Sequence, residues 1–395
     1  GDKNVAVGAN ALDANTTASN NTAVGWNSLS ANTTGTRNTG LGRAAASSTT
    51  TGNDNTAVGY NALDVNTTGE FNVAVGSNAL DANTTASNNT ALGYNSLSAN
   101  TTGADNVAVG AFSLVNNTTG SNNTGLGKSS LGNNTTGQSN TGIGEEALRE
   151  NTTASNNTAV GLAALQLNTT GGSNVAVGQA TLAKNTTASN NTALGQAALN
   201  SNTTASNNTA VGKSALEANT TGAKNTAVGR GSLQLNTTGG DNVAVGDFAL
   251  YSNTTASSNT ALGGDTLSNN TTGSNNTAVG DNALASNTTG ASNTAVGANA
   301  LSSLTTGVNN IAIGKNANTT STTGNSNIVI GEAAEPSSAT VQLEITLGNA
   351  HISTLRCNTQ TISSLSDARD KTNVIDLPES LDFINKLRPV KFKWD

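Results

Sequence analysis

The sequence predicts an all-β protein built as a parallel β-solenoid of 20 coils at 17 residues per coil. Three observations carry this. An aliphatic-Gly step recurs from Gly8, Gly25 and Gly42 through to Gly331 without one insertion or deletion. Each glycine follows an alternation of β-branched, small and aliphatic residues, which is strand patterning. The composition is wrong for a conventional core: charged residues are 10%, aromatics 3%, and glycines number 43.

The coil addresses follow in order. Asn lies four residues before the glycine in all 20 copies. Val, Thr or Ile comes next, then Ala or Gly (Val329 is the larger case), then Val, Leu or Ile. The spacing predicts two short strands and two corners per coil. Val5 and Val7 are expected on one face of the strand and Ala6 on the other. The glycine is expected at a corner or where backbone approaches too closely for a Cβ. Leu follows four residues later in 17 of the first 18 copies, and Thr-Thr eight and nine later in 19 of 20.

The Asn column is expected to stack as an amide ladder, at Asn21, Asn174 and Asn310 beside Gly25, Gly178 and Gly314. Asn-Xaa-Thr triplets such as Asn15-Thr16-Thr17 match glycosylation acceptors, but in a solenoid they read as an internal ladder. One coil buries too little to order itself, so stability comes from stacking neighbours. At ~4.8 Å per coil, the stack forms a rod on the order of 95 Å. The chain lacks Met and starts in the middle of a coil, so further coils are expected upstream.

The blocks Asn20 to Gly25, Ser173 to Gly178 and Asn309 to Gly314 resemble the head repeats of trimeric autotransporter adhesins. That resemblance implies a left-handed parallel β-roll and a homotrimer around a three-fold axis. Ala6, Ala23 and Ala57 are then expected to let neighbouring chains approach; solvent exposure is the alternative.

The period is expected to fail after Gly331, where Pro336 and Ser337-Ser338 intervene. Residues 1–340 are therefore the shaft. Residues 341–365 read as a neck, with a strand over Val341 to Leu347 and an apolar seam at Ile352, Leu355, Ile362 and Leu365. Residues 366–395 change character: charges are dense, Glu379–Leu387 has helical spacing after Pro378, and Val390, Phe392 and Trp394 alternate as a strand. A small α+β piece is expected there.

The runs Leu365 to Lys371 and Leu381 to Trp394 closely resemble the endosialidase-type intramolecular chaperone of phage tail spikes and fibres. The resemblance implies a domain that trimerises the chains, templates the shaft and cuts itself off, and that continues beyond the last residue here. It assigns Ser366 as nucleophile, Lys371 as its activator and Asp367 as the flanking acid. A Ser-Lys pair suits this chemistry when the lysine is desolvated enough to lose its proton. A turn cap is the plainer reading of Ser366-Asp367. Self-cleavage is the only enzymatic activity expected.

Elsewhere the chain excludes more than it assigns. A net charge of −7 speaks against nucleic acid. No apolar run reaches the ~20 residues of a membrane span. His351 and Cys357 could each meet symmetry copies, but no metal-binding spacing exists, and no cofactor motif appears. Trp26, Tyr60 and Tyr94 each follow a coil glycine and form a row that could contact sugar rings; the same address also holds Ala9, Lys128, Glu145 and Asp247. The expected function is the shaft of an extracellular phage tail fibre, joined to other tail proteins and reaching a cell-surface receptor, a glycan by this row. A bacterial surface adhesin is the first alternative. An ice-binding solenoid is the second, disfavoured because adjacent threonines face opposite ways. A glycan-cleaving spike lacks matched carboxylates.

Overall fold

A computed structural model describes residues 1–354. Within it, 21 three-residue strands form one parallel sheet, one strand per coil, from β1 (Val5–Val7) to β20 (Ile328–Ile330) and β21 (Ile345–Leu347). Successive strands pair in constant register: Val5 opposite Thr22, Thr158 opposite Val175, Ile328 opposite Ile345. Residues 1–350 form one compact unit.

The repeat runs one coil further than its sequence signature. Gly348 keeps the 17-residue spacing from Gly331, and β21 pairs with β20 although Glu344 stands where Asn is otherwise found. The Glu344 N–H donates to Asn327 Oδ1 at 3.0 Å, as an Asn would. The strand expected from Val341 onward is confined to Ile345–Leu347.

The face assignment is reversed from expectation. Ala23, Ala57, Ala91 and Ala176 are fully buried inside their own coil, not between chains. The β-branched and aliphatic residues flanking them point outward. The reason is cross-section: Leu29, Leu63 and their equivalents fill the interior from the far side, leaving room for only a methyl beneath the strand. Where Gly40 replaces the alanine, an added Cβ would meet Ser28 Oγ at 2.5 Å.

The far side is not a second strand. Residues two and four after the glycine take left-handed conformations in nearly every coil, as at Asn27 (φ 56°) and Leu29 (φ 49°). The N–H groups of these two residues reach opposite neighbours, while that of Ser28 between them donates within the coil to Gly25 at 3.4 Å. Asn27 donates back to Ala9 at 3.0 Å, while Leu29 donates forward to Ala45 at 3.0 Å. The turns thus form an axial ladder without strand geometry, which satisfies the backbone as a strand would.

Residues 355–395 lie outside the described residues. The expected helix, the last strand and most of the apolar seam fall there.

Candidate functional site

The columns of the shaft place side chains at three surfaces. The first is internal. Asn21 N–H donates to Asn4 Oδ1 at 2.9 Å, its Nδ2 donates to the Gly35 carbonyl at 2.9 Å, and its Oδ1 accepts from Asn38 N–H at 2.9 Å. Asn174 repeats the pattern with Asn157, Ala188 and Asn191, and Asn310 with Asn293, Gly324 and Asn327. All three are fully buried. Gly25, Gly178 and Gly314 have φ of 138°, 133° and 134°. A Cβ on Gly25 would lie 2.3 Å from the Gly42 carbonyl oxygen.

In that first Asn column, Asn174 and Asn310 also donate Nδ2 to the preceding Oδ1, at 3.2 and 3.1 Å; a second buried Asn column, seven residues after the glycine, adds a further side-chain ladder. From Asn83 to Asn287 each Nδ2 reaches the preceding Oδ1, as Asn100 does to Asn83 at 3.1 Å, and also a carbonyl three residues on, Gly103 at 2.9 Å. From Asn32 on, these are the Asn of the Asn-Thr-Thr triplets, and their burial leaves no amide for a glycan at those positions. The ladder breaks where Thr49, Leu304 and Ser321 replace Asn; Asn32 Oδ1 and Asn287 Oδ1 lose their partners there. In the Thr-Thr pairs the first hydroxyl turns to the next coil, Thr33 to the Thr50 carbonyl at 3.1 Å, and the second residue is exposed.

The second surface is the outer face of the sheet. Its two columns hold Thr, Val or Ile and then Val, Leu or Ile. Many of these side chains are exposed, among them Val73, Leu92, Leu126, Val177, Leu194, Ile313 and Ile330. No charged residue interrupts either column from β1 to β20.

The third surface is the corner following the glycine. Trp26 and Tyr60 are exposed, with Arg43 between them on the intervening coil. The Arg43 guanidinium carbon lies 4.8 Å from the Trp26 ring centroid and 5.1 Å from that of Tyr60. Tyr94 stands two coils beyond Tyr60, past Ser77, and meets Phe112 edge-on at 5.3 Å. Arg43 and Phe112 were not singled out from sequence, although Arg43's address between Trp26 and Tyr60 was readable from the register. Along the same corner, Arg230 lies 4.6 Å from Phe248 but is forked onto Asp247 at 2.7 Å and 3.0 Å. That hydrogen bond holds the Asp247 carboxyl below its ordinary range.

Among the described residues no group of three or more His, Cys, Asp or Glu could hold a metal, and no helix there is long and apolar enough to cross a membrane. His351 is exposed. Cys357, Ser366, Asp367 and Lys371 lie outside the described residues.

Residues 366–395 match the family described as chaperone of endosialidase. No curated protein matches the chain. The C-terminal match and the solenoid of about 20 coils together fit a tail fibre carrying an endosialidase-type chaperone, and support a structural protein of the tail-fibre or tailspike kind.

Proposed function

We propose that this chain is the homotrimeric shaft of a phage tail fibre that holds a host-binding surface away from the virion. The observation that carries the reading is the outer face of the sheet. A stripe of Thr, Val, Leu and Ile running along 20 coils is more exposed apolar surface than a soluble monomer usually keeps. Two further copies around a three-fold axis would cover all three stripes at once, which a closed point group requires. The buried alanines are not that interface; the aliphatic columns are.

The chaperone-like segment supports the phage setting over a bacterial surface adhesin. In this reading it brings three chains together, and Ser366 with Lys371 then releases it. Attachment to the host, contact with other tail proteins and extracellular exposure on the virion belong to the same proposal.

The test is assembly mass by light scattering, with the paired substitution Val177→Lys and Leu194→Lys on the sheet face. The parent should measure as three chains, and the double variant should drop to one with its parallel-sheet spectrum intact. A monomeric parent, or a variant that stays trimeric, would remove the support. For the tail, Ser366→Ala in the longest available gene should abolish processing.

A further inference from the structure

We propose that the corner column Trp26–Arg43–Tyr60–Ser77–Tyr94 is a binding site for a carboxylated saccharide. It rests on the attachment reading above and gives it a ligand class.

The argument starts with Arg43. Among the described residues, Arg37, Arg149 and Arg230 each reach a carboxylate, at 2.6, 2.8 and 2.7 Å. Arg43 reaches none. Its guanidinium is instead held between two aromatic faces, with Trp26 at 4.8 Å and Tyr60 at 5.1 Å. Stacking on both sides fixes the plane and leaves the N–H edge to solvent. A fixed guanidinium edge is a fork matched to a carboxylate. The acids of the neighbouring coils on this side, Asp13, Asp64 and Asp81, stand four positions further along their coils than this column, and none of them pairs with Arg43.

The ring part of the ligand has its own place. Tyr60 and Tyr94 are two coils apart, ~9.6 Å along the axis. The same interval between Trp26 and Tyr60 is occupied by Arg43. Between Tyr60 and Tyr94 the intervening residue is Ser77, which is too short to fill it. Tyr60 is 45% exposed and Tyr94 51%. Sugar rings stack on aromatic faces through their C–H edges, and a slot bounded by two tyrosines accepts one ring. A carboxylate on the neighbouring sugar of the chain then lies beside Arg43, past Tyr60. The second cluster, Arg230 with Phe248 and Tyr251, makes an internal control: Tyr251 meets Phe248 at 5.4 Å, but the cation there is already neutralised by Asp247.

The experiment is isothermal titration of the full chain with hexasaccharides of galacturonate, mannuronate and N-acetylneuraminate, and with maltohexaose as the neutral probe. At least one acidic hexasaccharide should bind and maltohexaose should not. Arg43→Gln should weaken that binding about tenfold or more, and Tyr94→Ala should weaken it comparably, while Tyr251→Ala leaves it unchanged. All three sites are on the surface, and the parallel-sheet spectrum checks folding. Absence of binding to every acidic probe overturns the site, as does binding that neither Arg43→Gln nor Tyr94→Ala alters. The fibre reading is decided separately by assembly mass: a trimer that ignores the sugars sinks the site alone.

Discussion

At the residue scale, the shaft is governed by backbone conformations that few side chains tolerate. Gly195 has φ 130°, and a Cβ there would sit 2.6 Å from the Gly212 carbonyl oxygen. Gly195→Ala should therefore cost about 3 kcal/mol or more, from strain and from the broken axial approach; chemical denaturation measures it. Leu at the buried corner pays a smaller penalty at φ near 50°, outweighed by complete burial. Asp81 is a different case. Partial burial pushes its carboxyl above the ordinary range, because the charged form is desolvated. A folded-state value above the unfolded one means that stability is lost as pH rises through this window and stays lost above it. Asp81→Asn should raise the melting temperature at neutral pH, and the gain should vanish below the carboxylate range. The strand alternation was legible in sequence; which of its faces turned inward was not. Ala and Val alternate equally well either way, and only the volume of the buried leucines decides it.

At the element scale, each coil is one strand and one ladder of left-handed turns, so its stability is set by column-mates. The nineteenth coil is the anomaly. Asn318 occupies the leucine slot, fully buried, with neither Nδ2 nor Oδ1 bonded, and Ser321 occupies the asparagine slot, also unbonded. An unpaired buried polar atom costs on the order of 1–3 kcal/mol. Asn318→Leu should stabilise this coil by about 2 kcal/mol, read as slower amide exchange in Ile311–Ile313 and Ile328–Ile330. No shift in exchange would mean the slot is hydrated. The last coil shows why the sequence signature ended early. Glu344 replaces Asn yet keeps its backbone bond, and its carboxylate takes the Ser337 hydroxyl, the Ser337 N–H at 2.9 Å and the Thr346 hydroxyl at 2.9 Å. A motif defined by asparagine cannot see that substitution, but a backbone ladder can absorb it.

At the scale of the whole shaft, nearest-neighbour stacking makes length adjustable in units of the period and in no other unit. Deleting residues 157–173 should leave a folded rod shorter by ~4.8 Å, whereas deleting eight residues from the same place should misalign every column and abolish folding. Circular dichroism and electron micrographs of the two variants distinguish these outcomes. The solenoid, its period and the internal asparagines were readable because repetition converts weak local preferences into one strong register. The Arg43 cluster was harder to see, since a ligand site on a variable column looks like variation until neighbouring coils are placed side by side. One consequence follows from strands of only three residues. A digestive protease must draw a longer stretch of straight chain across its cleft before it can cut. Between each strand and the next, this chain kinks through left-handed turns, so from Val5 to Leu347 the folded shaft offers such an enzyme almost nothing to grip.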